Sequence, residues 1–137
     1  MRVNYLKVIG AGIAGTLVMT AIGLFVAPMM GLLKMNPADM LAMQMGNVAI
    51  LGWMAHLMIG VVLAILYATL ANARLPGSAP VRGALFAIAP WLMAQVAIMP
   101  MMGMGLFSGS MPVAMGSLIG HLVYGGVIGV VIGSPPV

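Results

Sequence analysis

Residues 48–70 read VAILGWMAHLMIGVVLAILYATL, a run without Asp, Glu, Lys or Arg and with one histidine, His56. A helix rises 1.5 Å per residue, so about 20 apolar residues cross the ~30 Å hydrocarbon layer of a bilayer. This run is long enough to cross, and its one ionisable group then lies inside the membrane. Residues 113–133, VAMGSLIGHLVYGGVIGVVIG, repeat the design around His121. Both runs contain His-Leu-x-x-Gly, with Val62 and Val127 two residues after the glycine.

Two further stretches qualify as spans, from about residue 5 to 30 and from about 81 to 102. Of the 137 residues, 64% are hydrophobic and 4% charged. An average soluble domain carries roughly 25% charged residues, so this chain cannot cover a soluble surface and takes lipid as its solvent. The expected fold is all-α: one four-helix transmembrane bundle, residues 1–137. The first span follows Arg2 and Lys7 as a signal peptide would, but its apolar run is too long and lacks a small-x-small cleavage site, so it is expected to be retained. Between spans one and two, Asn36 can cap a short interfacial helix with Pro37 at its first position and Asp39 in its first turn. ANARLPGSAP joins spans two and three as a turn, and GMGLFSGSMP joins three and four as a flexible connection. Pro90 falls inside the third span, where it is expected to kink the helix.

Arg2, Lys7, Arg74 and Arg82 fall on one side of this arrangement and Lys34 on the other, which puts both termini in the cytoplasm. The expected location is a bacterial inner membrane, crossed several times. Ala27-Pro28-Met29-Met30-Gly31 near the end of the first span recurs as Met99-Pro100-Met101-Met102-Gly103 near the end of the third. With the two His-Leu-x-x-Gly segments, this marks a helical hairpin used twice, residues 5–70 and 81–133. The copies are expected to be related by a pseudo-two-fold axis along the membrane normal. Gly52, His56, Gly60 and Ala64 recur every four residues, as do Ser117, His121, Gly125, Gly129 and Gly133. Such small-residue rows let helices approach closely in lipid, so both histidines point into the bundle.

Counted by helical rise, Thr20, His56, Gln95, Ser117 and His121 fall at one depth. An ionisable side chain in hydrocarbon is costly and marks a site by default. Apolar surroundings favour neutral imidazole, the form that ligates metals. Two chemistries follow. In one, His56 and His121 are ligands of haem b or a copper ion, Gly60 and Gly125 leave room for a macrocycle, and Gln95, Thr20 and Ser117 orient the rings. In the other, each imidazole is only a hydrogen-bonding and packing group between helices. The 17 methionines are mostly soft apolar filler. Met101, Met102 and Met104 nevertheless belong to a Met-rich outer rim, and thioethers select Cu(I). A Cu(I)-handling protein facing the periplasm is therefore a further alternative.

The absence of cysteine excludes disulfides, thiolate nucleophiles, iron–sulfur clusters and covalently attached haem c. Five scattered basic residues give no nucleic-acid patch. Asp39 is the one acidic residue and falls in the connection between spans one and two, outside the spans, so no buried carboxylate serves acid–base or proton-coupled chemistry. Ser117 and His121 have no orienting acid. The protein is thus expected not to be an enzyme. Its expected partners are the lipid bilayer and either a larger membrane complex of the electron-transport kind or further copies of itself. GWMAHLMIG, PMMGMGLFS and MGSLIGHLVYGGVIG together resemble a family of small four-span bacterial membrane proteins of unknown function. That resemblance implies the topology and no activity.

Overall fold

The computed structural model describes residues 3–135, so Arg2 lies outside the described residues. Four helices are long and apolar enough to cross a membrane: α1 (Tyr5–Met29), α3 (Ala49–Ala71), α4 (Ala79–Met101) and α5 (Met111–Ile132). Between α1 and α3 lies the short α2 (Pro37–Gln44), and a single 3₁₀ turn, Leu106–Gly109, precedes α5. All expected elements are present. The last two spans begin two residues earlier than expected because Pro80 and Pro112 sit in the first turns of α4 and α5, where a missing N–H costs nothing.

Local chemistry explains the helix ends. Asn4 accepts from the Lys7 N–H at 3.1 Å and Asn36 from the Ala38 N–H at 3.1 Å, satisfying first-turn donors. Near their far ends, α1 and α4 each widen by one residue per turn, over Ile22–Val26 and Ala94–Ile98. In both, a proline follows the widened segment, Pro28 and Pro100. In α1 the Ala27 N–H turns back to Ile22 O, and Pro28 has no N–H to offer, so Gly23 O is left without a partner in its own helix. The Met35 N–H, from the loop before α2, supplies that bond at 3.0 Å. Both helices then stop at a glycine in the left-handed region, Gly31 and Gly103, each with φ +78°. A residue there carries no Cβ penalty only if it is glycine.

The helices pair within each half of the chain. Helix α1 packs on α3, and α4 packs on α5. Both pairs cross where backbone meets backbone. A methyl group on Gly12 would lie 2.7 Å from Val61 Cα and 2.9 Å from Gly60 O, and one on Gly60 would collide with Thr16 Oγ1. In the second pair, methyl groups on Gly83 and Gly125 would each strike the other's carbonyl, and one on Gly129 would strike Ala79 O. The small-residue rows are therefore the contact lines of the bundle. Helix α2 uses the same device, since Gly52 faces Ala38 and Ala42.

The two pairs meet along α1 and α5. Gly15 of α1 accommodates the Tyr124 ring and the Ile128 side chain. Beyond it, the Tyr124 hydroxyl donates to Gly60 O of α3 at 2.6 Å, tying the second half to the first. The other possible seam is unequal to this one. Helix α3 meets α4 chiefly near its C-terminal end, where the Tyr67 ring packs tilted against Phe86, centroids 5.5 Å apart, and its hydroxyl lies 3.4 Å from Ala79 O. The buried apolar cluster of Val8, Ala11, Ala64, Tyr67, Ala87, Tyr124 and Ile128 accordingly fills the half of the bundle nearest the chain termini.

Two neighbouring glycines of α5 test the crossing. Gly125→Ala places its methyl on Gly83 and Ala87, whereas a methyl on Gly126 meets nothing within 4 Å. Overpacking of this kind costs about 1–3 kcal/mol. Thermal unfolding in detergent should show Gly125→Ala clearly destabilised and Gly126→Ala close to wild type.

Candidate functional site

His56 lies on the buried line Gly52, His56, Gly60, Ala64 of α3, one turn before the α1–α3 crossing. Its Nε2 is 3.0 Å from Thr20 Oγ1 on α1. The Thr20 hydroxyl hydrogen goes to Thr16 O at 2.8 Å, and Thr16 Oγ1 likewise donates to Gly12 O at 2.8 Å. Threonines inside helices commonly bond back to the preceding turn in this way. With its hydrogen so used, Thr20 Oγ1 accepts from His56 Nε2–H. The neutral ring therefore carries its lone pair on Nδ1. Trp53 flanks the imidazole, ring centroids 6.3 Å apart.

His121 occupies the corresponding place on α5, one turn before Gly125. Its Nδ1–H donates to Ser117 O in the preceding turn at 2.8 Å, which leaves the lone pair on Nε2. The two imidazoles thus adopt opposite tautomers. His56 is bonded across the α1–α3 pair and His121 within α5 itself.

The expected polar layer divides along the same boundary. Thr20 and His56 form one unit between α1 and α3. Gln95 and Ser117 form a second, between α4 and α5, and His121 bonds within α5 to the Ser117 carbonyl. Gln95 is buried but does not orient an imidazole: its Oε1 accepts from Ser108 Oγ at 2.8 Å and its Nε2 donates to Ser117 Oγ at 3.5 Å. Ser108 reaches it from the 3₁₀ turn, where Phe107 and Ser108 have φ +51° and +58°. Left-handed backbone is unfavourable for residues with a Cβ, and here it is held by what surrounds it. The Phe107 ring lies 6.2 Å from that of Trp91, whose Nε1–H donates to Ala114 O at 3.0 Å. The connection expected to be flexible is therefore folded back onto α4 and α5. The sequence reading missed this cluster, and the glycines flanking Leu106–Ser108 were its one visible sign.

A haem between the histidines needs both Nε2 lone pairs and space for a flat ring. His56 Nε2 is committed to Thr20, and the space beside Gly60 and Gly125 is filled by Thr16, Gly12, Gly83 and Ala87. These residues do not fit the group. A copper ion shared with the methionine rim meets a different obstacle. Met101 ends α4, and Met102 and Met104 follow it, whereas His121 lies ten residues into α5, roughly 15 Å deeper along its axis. Among the described residues, no three His, Cys, Asp or Glu side chains form a metal-binding group.

These features define a four-helix membrane protein with two intramembrane histidines, each hydrogen-bonded inside its own helix pair. The chain belongs to a family of unknown function, DUF6789, whose model matches residues 2–134. No curated protein and no solved structure matches it.

Thr20→Val removes the acceptor of the His56 bond while keeping the volume of the side chain. Interhelical hydrogen bonds in membrane bundles are worth ~0.6 kcal/mol on average and at most about 1.7 kcal/mol. Unfolding in detergent should show a loss in that range, and His56→Ala combined with Thr20→Val should cost less than the sum of the two single changes.

Proposed function

We propose that the protein is a non-catalytic structural subunit of the membrane, built to present two interlocked helix pairs to a larger membrane assembly. The single observation carrying this reading is that both imidazoles are hydrogen-bonded to the protein, His56 to Thr20 across the α1–α3 pair and His121 to Ser117 O of its own helix, beside glycines already filled by neighbouring groups. The His56–Thr20 bond then serves as a polar lock that fixes the rotation of α3 against α1 just before their crossing, while His121 satisfies its ring within α5.

Lys7, Arg74 and Arg82 at the end where α1 and α4 begin, against Lys34 at the other, support an orientation with both termini in the cytoplasm. The likeness of the two helix ends, each with a widened turn, a proline and a glycine at φ +78°, supports descent from a duplicated hairpin. Exposed apolar side chains along every span, among them Leu6, Ile50, Met58, Met93 and Val130, supply the surface for lipid and for a membrane partner.

Purified from its native membrane, the protein should be colourless and free of bound metal. His56→Gln and His121→Gln should still insert and assemble, with reduced thermal stability. A haem absorption band, or stoichiometric copper, that disappears in both variants would overturn the proposal. The cysteine-free chain also permits a clean orientation test. Single cysteines at Ser78 and Asn47 should react with a membrane-impermeant thiol reagent from opposite sides, Ser78 from the cytoplasm.

A further inference from the structure

The end of the bundle that carries most of the positive charge is organised around the last residues of α5. Lys7 Nζ donates to Ile132 O at 3.3 Å, Asn72 Nδ2 to Gly133 O at 2.9 Å, and Arg82 Nη2 to Ser134 Oγ at 2.7 Å. Side chains from α1, from the α3–α4 turn and from α4 thus converge on three consecutive residues. Two residues of extended chain reach at most ~7 Å, so Lys7 and Arg82 border one small patch. Asn72 is itself held by the Tyr67 hydroxyl at 3.0 Å. The Arg82 Nε is enclosed by protein without a hydrogen-bond partner, and the guanidinium is held through Nη2 on Ser134. Arg74, two residues beyond Asn72, is exposed and folds its guanidinium back to Leu70 O.

Every acceptor these cations use is a neutral carbonyl or hydroxyl. Hydrogen bonds to such groups hold the side chains in place but cancel none of their charge. Asp39 is the one acidic side chain of the sequence and lies beyond the far end of α1, a 25-residue helix that is roughly 37 Å long. Among the described residues, then, no carboxylate balances Lys7, Arg74 and Arg82. The cluster stands where all four spans begin or end, the level of the lipid headgroups. An ammonium with three N–H donors and a guanidinium with five retain unused donors there, suited to phosphate oxygens.

We propose that Lys7, Arg82 and Arg74 form a binding site for the phosphate of an anionic phospholipid at this end of the bundle. The lipid phosphate supplies negative charge that no described side chain offers these cations, and its acyl chains run down the adjoining apolar helix faces. The site needs only a headgroup layer at this level, so it stands or falls separately from the structural role proposed above.

The test uses the full chain in neutral detergent, titrated with phosphatidylglycerol, phosphatidylcholine or inorganic phosphate, with bound lipid read by native mass spectrometry. Phosphatidylglycerol should remain bound where phosphatidylcholine is lost, and inorganic phosphate at equal concentration should not displace it. Neutralising two interfacial cations in Lys7→Gln/Arg82→Gln should weaken phosphatidylglycerol binding by roughly tenfold or more. Lys34→Gln at the opposite end should leave it unchanged. If the double variant does not fold, Arg74→Gln replaces it, because Arg74 is exposed and bonds only to its own helix; about fivefold weakening is then expected. Equal retention of both lipids, displacement by inorganic phosphate, or wild-type affinity in the folded charge variant would each overturn the proposal.

Discussion

Contact between helix backbones at glycine is the constraint on which this molecule depends. In lipid the helices gain little by hiding apolar side chains from their surroundings, which are equally apolar. Association rests on close van der Waals contact and on hydrogen bonds between helices. Gly12 against Gly60, and Gly83 against Gly125, bring the helices of each pair to that distance. The rest follows from these crossings. Thr16 fits over Gly60, Tyr124 reaches Gly60 O past Gly15, and each histidine sits one turn from its crossing with a partner within reach.

Polar groups at this depth acquire their roles from the same geometry. An unpaired imidazole or amide in hydrocarbon is expensive, so each is matched by a local acceptor or donor. Thr20 serves His56, the Ser117 carbonyl serves His121, and Ser108 and Ser117 serve Gln95. The Gln95 arrangement has a further effect. By drawing Ser108 inward, it closes the α4–α5 connection over the end of the second pair, a position that α2 occupies in the first.

Much of the architecture was legible in the sequence because membrane thickness and helical rise leave little freedom. Four apolar runs of the right length, Asn36-Pro37 before α2, and four-residue spacing of small side chains each translate directly into structure. The candidate site was half legible. That His56 and His121 lie on contact lines follows from their spacing with Gly60 and Gly125. Which neighbour each line faces does not, because that depends on the packing order of the helices. The order places α1 beside both α3 and α5, so His56 finds its partner on α1, while His121 is left to bond within α5. The same glycines that suggested room for a flat ring were needed for backbone contact. The folded connection at Phe107 and Ser108 was illegible for another reason: neither residue favours the left-handed region, and only Trp91 and Gln95, distant in sequence, hold them there.

The unequal seams give the molecule a mechanical character. Its halves are joined along α1 and α5, while α3 and α4 approach one another chiefly around Tyr67. A bundle attached along one edge behaves like a book bound at its spine. Changes in bilayer thickness or lateral pressure will spread or close its covers before they disturb the glycine contacts within either one.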